Sequence, residues 1–165
     1  MKKLPLFLSL AAATLSLAAC EKELEEVNEP VQEVAAVKSQ SATELLSASS
    51  WHLTDLTSRT VTAGSTDAPT VSLLARLKPW LRDNTSEFKS GGSYTVSEGA
   101  LKASAQAPQL LTGAWQLSAK GDSLIIRQDN AVQRYAIAEL TTSTLRLNHS
   151  TGTNPVTTTT SVFSH

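Results

Sequence analysis

The sequence has one cysteine, Cys20, so no intrachain disulfide is available and the fold must stand on its core and its backbone hydrogen bonds. Histidine is scarce as well. His52, His149 and His165 are the only three, none is spaced as a metal pair, and no second thiol is there to join them, so neither a metal nor a cofactor is expected. The serine-nucleophile signature Gly-x-Ser-x-Gly does not occur. With no other catalytic constellation visible, the chain reads as a non-enzyme. Neither sign of charge dominates, with 14 Lys+Arg against 15 Asp+Glu and no basic stripe, which argues against nucleic acid as a partner. There is one long apolar run, Leu4 to Ala19, and its sixteen residues fall short of the roughly 20 that a bilayer-spanning helix needs.

What is present begins with that run. Lys2 and Lys3 form a positive lead, Leu4 to Leu17 an apolar stretch, and Leu17-Ala18-Ala19-Cys20 closes it. The arrangement resembles a bacterial lipoprotein signal. The resemblance implies a signal peptide over residues 1–19, a lipid on the Cys20 thiol, and a mature chain held to a membrane through that lipid. It places the protein in the cell envelope, at the outer membrane. Removing 19 of the 165 residues leaves 146, the size of one domain. Losing Lys2 and Lys3 from the 14 basic side chains leaves 12 against 15 acidic ones, a net charge of −3.

Residues 20–47 read as a lipidated acidic tether, because the glutamate-rich stretch after Cys20 has too little apolar surface to offset ordering its backbone. Lys22 among glutamates also resembles the surface-export signal of Bacteroidetes-type lipoproteins. An acidic linker facing the periplasm fits the same residues, so either side of the membrane stays open. Near the end of this stretch, Ser41-Ala42-Thr43-Glu44 has the form of a helix start, with Leu45 and Leu46 in a short turn after it.

Beyond residue 48 the chain reads as short extended runs split by turn residues. Trp51 and Leu53 alternate over 50–57. Glu87 to Lys89 and Tyr94 to Val96 flank Ser90-Gly91-Gly92-Ser93 as one hairpin, and 112–118 and 123–127 flank Ala119-Lys120-Gly121-Asp122 as another. Runs at 134–139, 144–149 and the threonine-rich 156–163 complete eight strands. Eight strands joined in sequence solve their edge problem by closing. The prediction is an all-β domain over 48–165, a small eight-stranded antiparallel up-and-down barrel with one short helix. Val71, Leu74, Leu77 and Lys78 follow helical spacing until Pro79, which predicts that helix over Val71 to Leu81 as a lid on one mouth.

Five pieces, in order, resemble the lipocalin-like domain of Bacteroidetes-type bacterial lipoproteins: Ser50-Trp51-His52-Leu53-Thr54, Asp83-Asn84 leading to Phe88, Gly92 to Gly99, Gly113 to Ser118, and Glu139 to Leu145. The resemblance covers residues 48–165 and implies a lipocalin-like barrel. Members often carry a cysteine after the short helix and another after the Tyr-Thr-Val-Ser-Glu-Gly-like segment; here Trp80-Leu81 and Lys102-Ala103 stand there instead. Ser49-Ser50-Trp51 also departs from the Gly-x-Trp that lipocalins favour, a form kept at Gly113-Ala114-Trp115.

Alternation places Trp51, Leu53, Phe88, Tyr94, Trp115 and Tyr135 on the face that points into the barrel, and these are the candidate ligand-binding residues. The two tyrosines would be the polar handles of a cavity. Core packing alone explains the same six side chains, because eight-stranded barrels occur both filled and hollow. Two functions follow: binding of a small apolar or amphipathic ligand inside the barrel, or a filled, non-catalytic structural or protein-interaction module of the cell surface.

Overall fold

The computed structural model describes residues 39–65 and 68–165. The expected signal peptide, Cys20 and the expected tether up to residue 38 lie outside the described residues.

The described chain opens with α1 (Ala42–Ser47), followed by β1 (Trp51–Val61), β2 (Thr70–Ser72), a 3₁₀ turn (Leu74–Arg76), α2 (Pro79–Arg82), β3 (Thr85–Phe88) and β4 (Ser93–Ser97). It continues with β5 (Leu110–Leu117), β6 (Ser123–Gln128), β7 (Ala131–Leu140), β8 (Thr144–Thr151) and β9 (Val156–Ser164). Every pairing is antiparallel, in the order β2-β1-β3-β4-β5-β6-β7-β8-β9, and β9 returns to β1. Eight strands therefore close as a barrel, and β2 is a short addition beside β1. Closure removes the exposed edges that an open meander would leave.

The hairpins follow their turn residues. Gly92 takes a left-handed φ of 86° between β3 and β4, a conformation glycine adopts without a steric penalty. Asp129 and Asn130, at φ 49° and 64°, make the two-residue turn between β6 and β7. Paired positive φ values give a turn whose twist matches that of the flanking strands, so β7 starts at Ala131, three residues before the expected 134.

The α1 helix begins as its residues indicate. The Ser41 hydroxyl accepts from the Glu44 amide at 3.2 Å, and the Glu44 carboxylate accepts from the Ser41 amide at 2.7 Å. The helix touches β3 and β7. In a ring of eight, those strands stand opposite each other, so α1 lies across the barrel's end and delivers Leu46 to the core at 0% exposure. Leu46 falls within the stretch that the sequence assigns to the tether. The Trp51 Nε1 donates to the Leu46 carbonyl at 3.0 Å, which ties the helix to the first strand.

The expected helix over Val71 to Leu81 does not form as one element. Thr70–Ser72 pairs with β1, the Leu73 amide donates to the Leu56 carbonyl at 2.8 Å, and a 3₁₀ turn follows. Pro79 then opens α2 instead of ending a helix. The reason is the first-turn position: proline's missing N–H has no intrahelical partner there, and its fixed φ suits the start of a helix.

Candidate functional site

Strand register divides the interior into two parts of different character. Around α1, Leu46, Trp51, Leu124 and Leu145 are all at most 1% exposed and fill the barrel solidly. Phe88, Tyr94, Trp115, Ile126 and Leu147 continue the same cluster. Toward the other end the inward positions turn polar. β9 alternates so that Thr157, Thr159 and Ser161 share the face of Phe163, and their cross-strand partners on β8 are Thr151, His149 and Leu147. Across β1 the same three meet Thr60, Ser58 and Leu56. Thr60 and Thr157 hydroxyls bond at 3.0 Å. The threonine-rich last strand is therefore polar on both faces, where the sequence gives no reason for an inward run of hydroxyls.

A cavity of about 80 Å³ lies where these parts meet. Phe88, Ile126, Leu145, Leu147 and Phe163 supply its apolar wall, and Ser86, Tyr94, Tyr135 and Ser161 its hydroxyls. Ile126 also borders a second hollow of about 170 Å³, shared with Gln128, Asp129, Ala131 and Gln133 at the β6–β7 turn. In that region the Gln128 Nε2 is buried without a partner among the described residues.

The Tyr94 hydroxyl and the Ser86 hydroxyl are 3.2 Å apart. Burial raises the Tyr94 pKa above its ordinary value of 10.0, against a smaller opposing effect of the Ser86 bond. Burial raises Tyr135 as well, and the nearby Tyr94 adds to that shift. The Tyr135 hydroxyl donates to the Gln133 side-chain Oε1, and its ring lies by that of His149 with 5.4 Å between centroids. Both phenols are therefore neutral near pH 7, each able to donate and to accept.

The six candidate residues separate into two groups. Phe88, Tyr94 and Tyr135 line the cavity. Trp51 and Trp115 lie outside its lining. The Trp115 Nε1 donates to the Lys89 carbonyl at 2.9 Å, and its ring meets Phe88 edge-on at 5.6 Å. Trp51 sits under the C-terminal His165, with ring centroids 4.1 Å apart. Leu53 pairs with Phe163 and is half-buried outside the lining. Ser86, Ile126, Leu145, Leu147, Ser161 and Phe163 line the cavity without having been singled out as ligand-binding candidates; Ile126, Leu145 and Leu147 carry the inward alternation that finds them, whereas Ser86 and Ser161 are recognisable only from the register.

Among the described residues, no three His, Cys, Asp or Glu side chains gather as a metal site, and no helix is long and apolar enough to cross a membrane. Compared with models of known protein families and with curated proteins, the sequence matches none.

Proposed function

We propose that this chain is a lipid-anchored envelope lipoprotein whose lipocalin-like barrel binds a small amphipathic molecule. The observation that carries the reading is the cavity at the boundary of the interior, where two neutral tyrosine hydroxyls and two serines face an otherwise apolar wall. A buried hydroxyl needs a partner, and Tyr94 and Ser86 leave acceptor capacity toward the hollow. A volume of about 80 Å³ is far below the roughly 300–1,000 Å³ of a drug-sized pocket. The ligand is thus a small molecule, or one end of a longer one, with its apolar part between Ile126 and Phe163 and its polar part toward the Tyr94, Tyr135 and Ser86 hydroxyls. Anchoring rests on the sequence around Cys20.

The second reading, a filled barrel acting as a structural or protein-interaction module, draws on Trp51 and Trp115, whose indole N–H groups are already spent on backbone carbonyls. Native mass spectrometry of the full chain, exposed to an envelope extract, separates the two. Ligand binding gives a reproducible extra mass that is lost in Ile126→Trp, which fills the cavity, while circular dichroism stays native. A bare polypeptide mass at every extract concentration favours the filled module.

A further inference from the structure

The hydroxyls that border the cavity are not equivalent, because some of their protons are already committed. The Tyr135 hydroxyl gives its proton to the Gln133 side-chain Oε1, so toward the cavity it offers only oxygen lone pairs. Tyr94 and Ser86 share one hydrogen bond at 3.2 Å; whichever of them donates, the other keeps its proton. The two phenols are close enough for Tyr94 to help raise the Tyr135 pKa. One wall of the cavity therefore holds an acceptor, the Tyr135 oxygen, and an available proton on the Tyr94–Ser86 pair.

Charge narrows the choice further. No Lys, Arg or His is among the described residues that line the cavity or the neighbouring hollow at the β6–β7 turn, and the one charged group of the two linings is the Asp129 carboxylate of that hollow. His149, beside the Tyr135 ring, stands outside both linings with its Nδ1 3.0 Å from the Arg134 carbonyl oxygen. A carboxylate head would be buried without a cation, and, having no proton, it would leave the Tyr135 oxygen unanswered. An ammonium head would be buried without an anion in the cavity and could not accept the Tyr94–Ser86 proton. An ether accepts but cannot donate. An alcohol does both through one atom. Benzene occupies an engineered apolar cavity of about 150 Å³, so the about 80 Å³ here suits a smaller group, an alcohol carrying a short alkyl chain.

We infer that the cavity selects an uncharged alcohol, whose hydroxyl donates to the Tyr135 oxygen and accepts from the Tyr94–Ser86 pair while its alkyl part lies against Ile126, Leu147 and Phe163. The inference rests on the reading of the barrel as a binding domain and adds which head group it takes: a hydroxyl, with fatty-acid carboxylates and amines turned away.

The test is an NMR titration of the isotope-labelled full chain at pH 7 with four probes of similar size: 1-butanol, its isomer methyl propyl ether, butyrate and butylammonium. The expected result is a saturable shift of the amides of Ser86, Tyr94 and Tyr135 with 1-butanol, and binding of the other three about tenfold or more weaker, the cost of one unmade hydrogen bond or of an unpaired charge. Tyr135→Phe removes the acceptor and is expected to bring the alcohol and the ether to nearly equal affinity. Ether, butyrate or butylammonium binding as tightly as the alcohol overturns the inference and leaves the binding domain standing, and so does an undiminished preference for the alcohol in a folded Tyr135→Phe. No saturable shift with any probe overturns the inference and also counts against a ligand in this cavity. The comparison of the four probes in the unaltered chain decides the matter whether or not the variant folds.

Discussion

The end of the barrel beneath α1 and the end lined by threonines are made from the same strands, yet they solve opposite problems. At the first, Leu46, Trp51, Leu124 and Leu145 are buried almost completely and the one indole N–H is satisfied by a backbone carbonyl. At the second, inward positions carry Thr157, Thr159 and Ser161, and Ser161 reaches the cavity that lies between the two ends. The first end provides the stability. The second gives up apolar burial for hydroxyls, of which Ser161 borders the hollow. A barrel needs only one well-packed end to hold its register, because a slip of one residue would turn every inward side chain outward.

Substitutions at the two ends separate these roles. Trp51→Ala is expected to have the largest effect, a loss of about 3–5 kcal/mol, because it removes a fully buried indole and frees α1; urea unfolding measures it. A loss below about 1 kcal/mol would show that this end does not carry the stability. Ser41→Ala removes one half of the capping box and is expected to cost about 1 kcal/mol. It should leave the cavity untouched, so any ligand that binds does so at unchanged affinity.

The tyrosines give a comparison by pH. The chain has two, Tyr94 and Tyr135, and both fold with their pKa raised above 10.0. The folded state holds their protons more tightly than the unfolded chain does. The stability they contribute is complete below pH 10 and is lost as pH rises from there through the folded values. Ultraviolet titration of phenolate should show both ionising later than free tyrosine, and Tyr94→Phe should remove part of the alkaline loss of stability. Normal titration of both would mean that the cavity region is open to water. The smallest effect is expected at the hydroxyl-lined end itself: Ser161→Val should change unfolding free energy by no more than about 0.5 kcal/mol, while making the cavity wall more apolar and reducing binding of a polar headgroup.

Much of the fold was legible in local pattern. The capping box at Ser41 and Glu44, the hairpin at Gly91-Gly92, and the alternation of Trp115 with Leu117 all depend on residues near one another in the chain, and the structure has them as the residues indicate. The stretch 71–81 departs from its helical spacing because Thr70–Ser72 pairs with β1 and Pro79 takes the first turn of a helix. Ile125 is buried for a reason that lies outside local pattern. It is 6% exposed yet belongs to the outer face, where its cross-strand partners are Gln116 and Arg134, whose long side chains can cover it.

The candidate site was legible only in part. Phe88, Tyr94 and Tyr135 follow from alternation, but alternation marks every inward residue alike and does not distinguish those beside a cavity from those that fill the barrel.

By itself the sequence determined the all-β character, the hairpins, the helix start at Ser41 and the inward-facing aromatics, because these depend on φ preferences, side-chain period and hydrogen bonds within a few residues. Tertiary structure alone decided the closure of β1 on β9, the placing of Leu46 across the barrel's end, and the position of the hollow. Those depend on contacts between residues about a hundred positions apart, and on whether side chains from eight strands together fill the space they enclose.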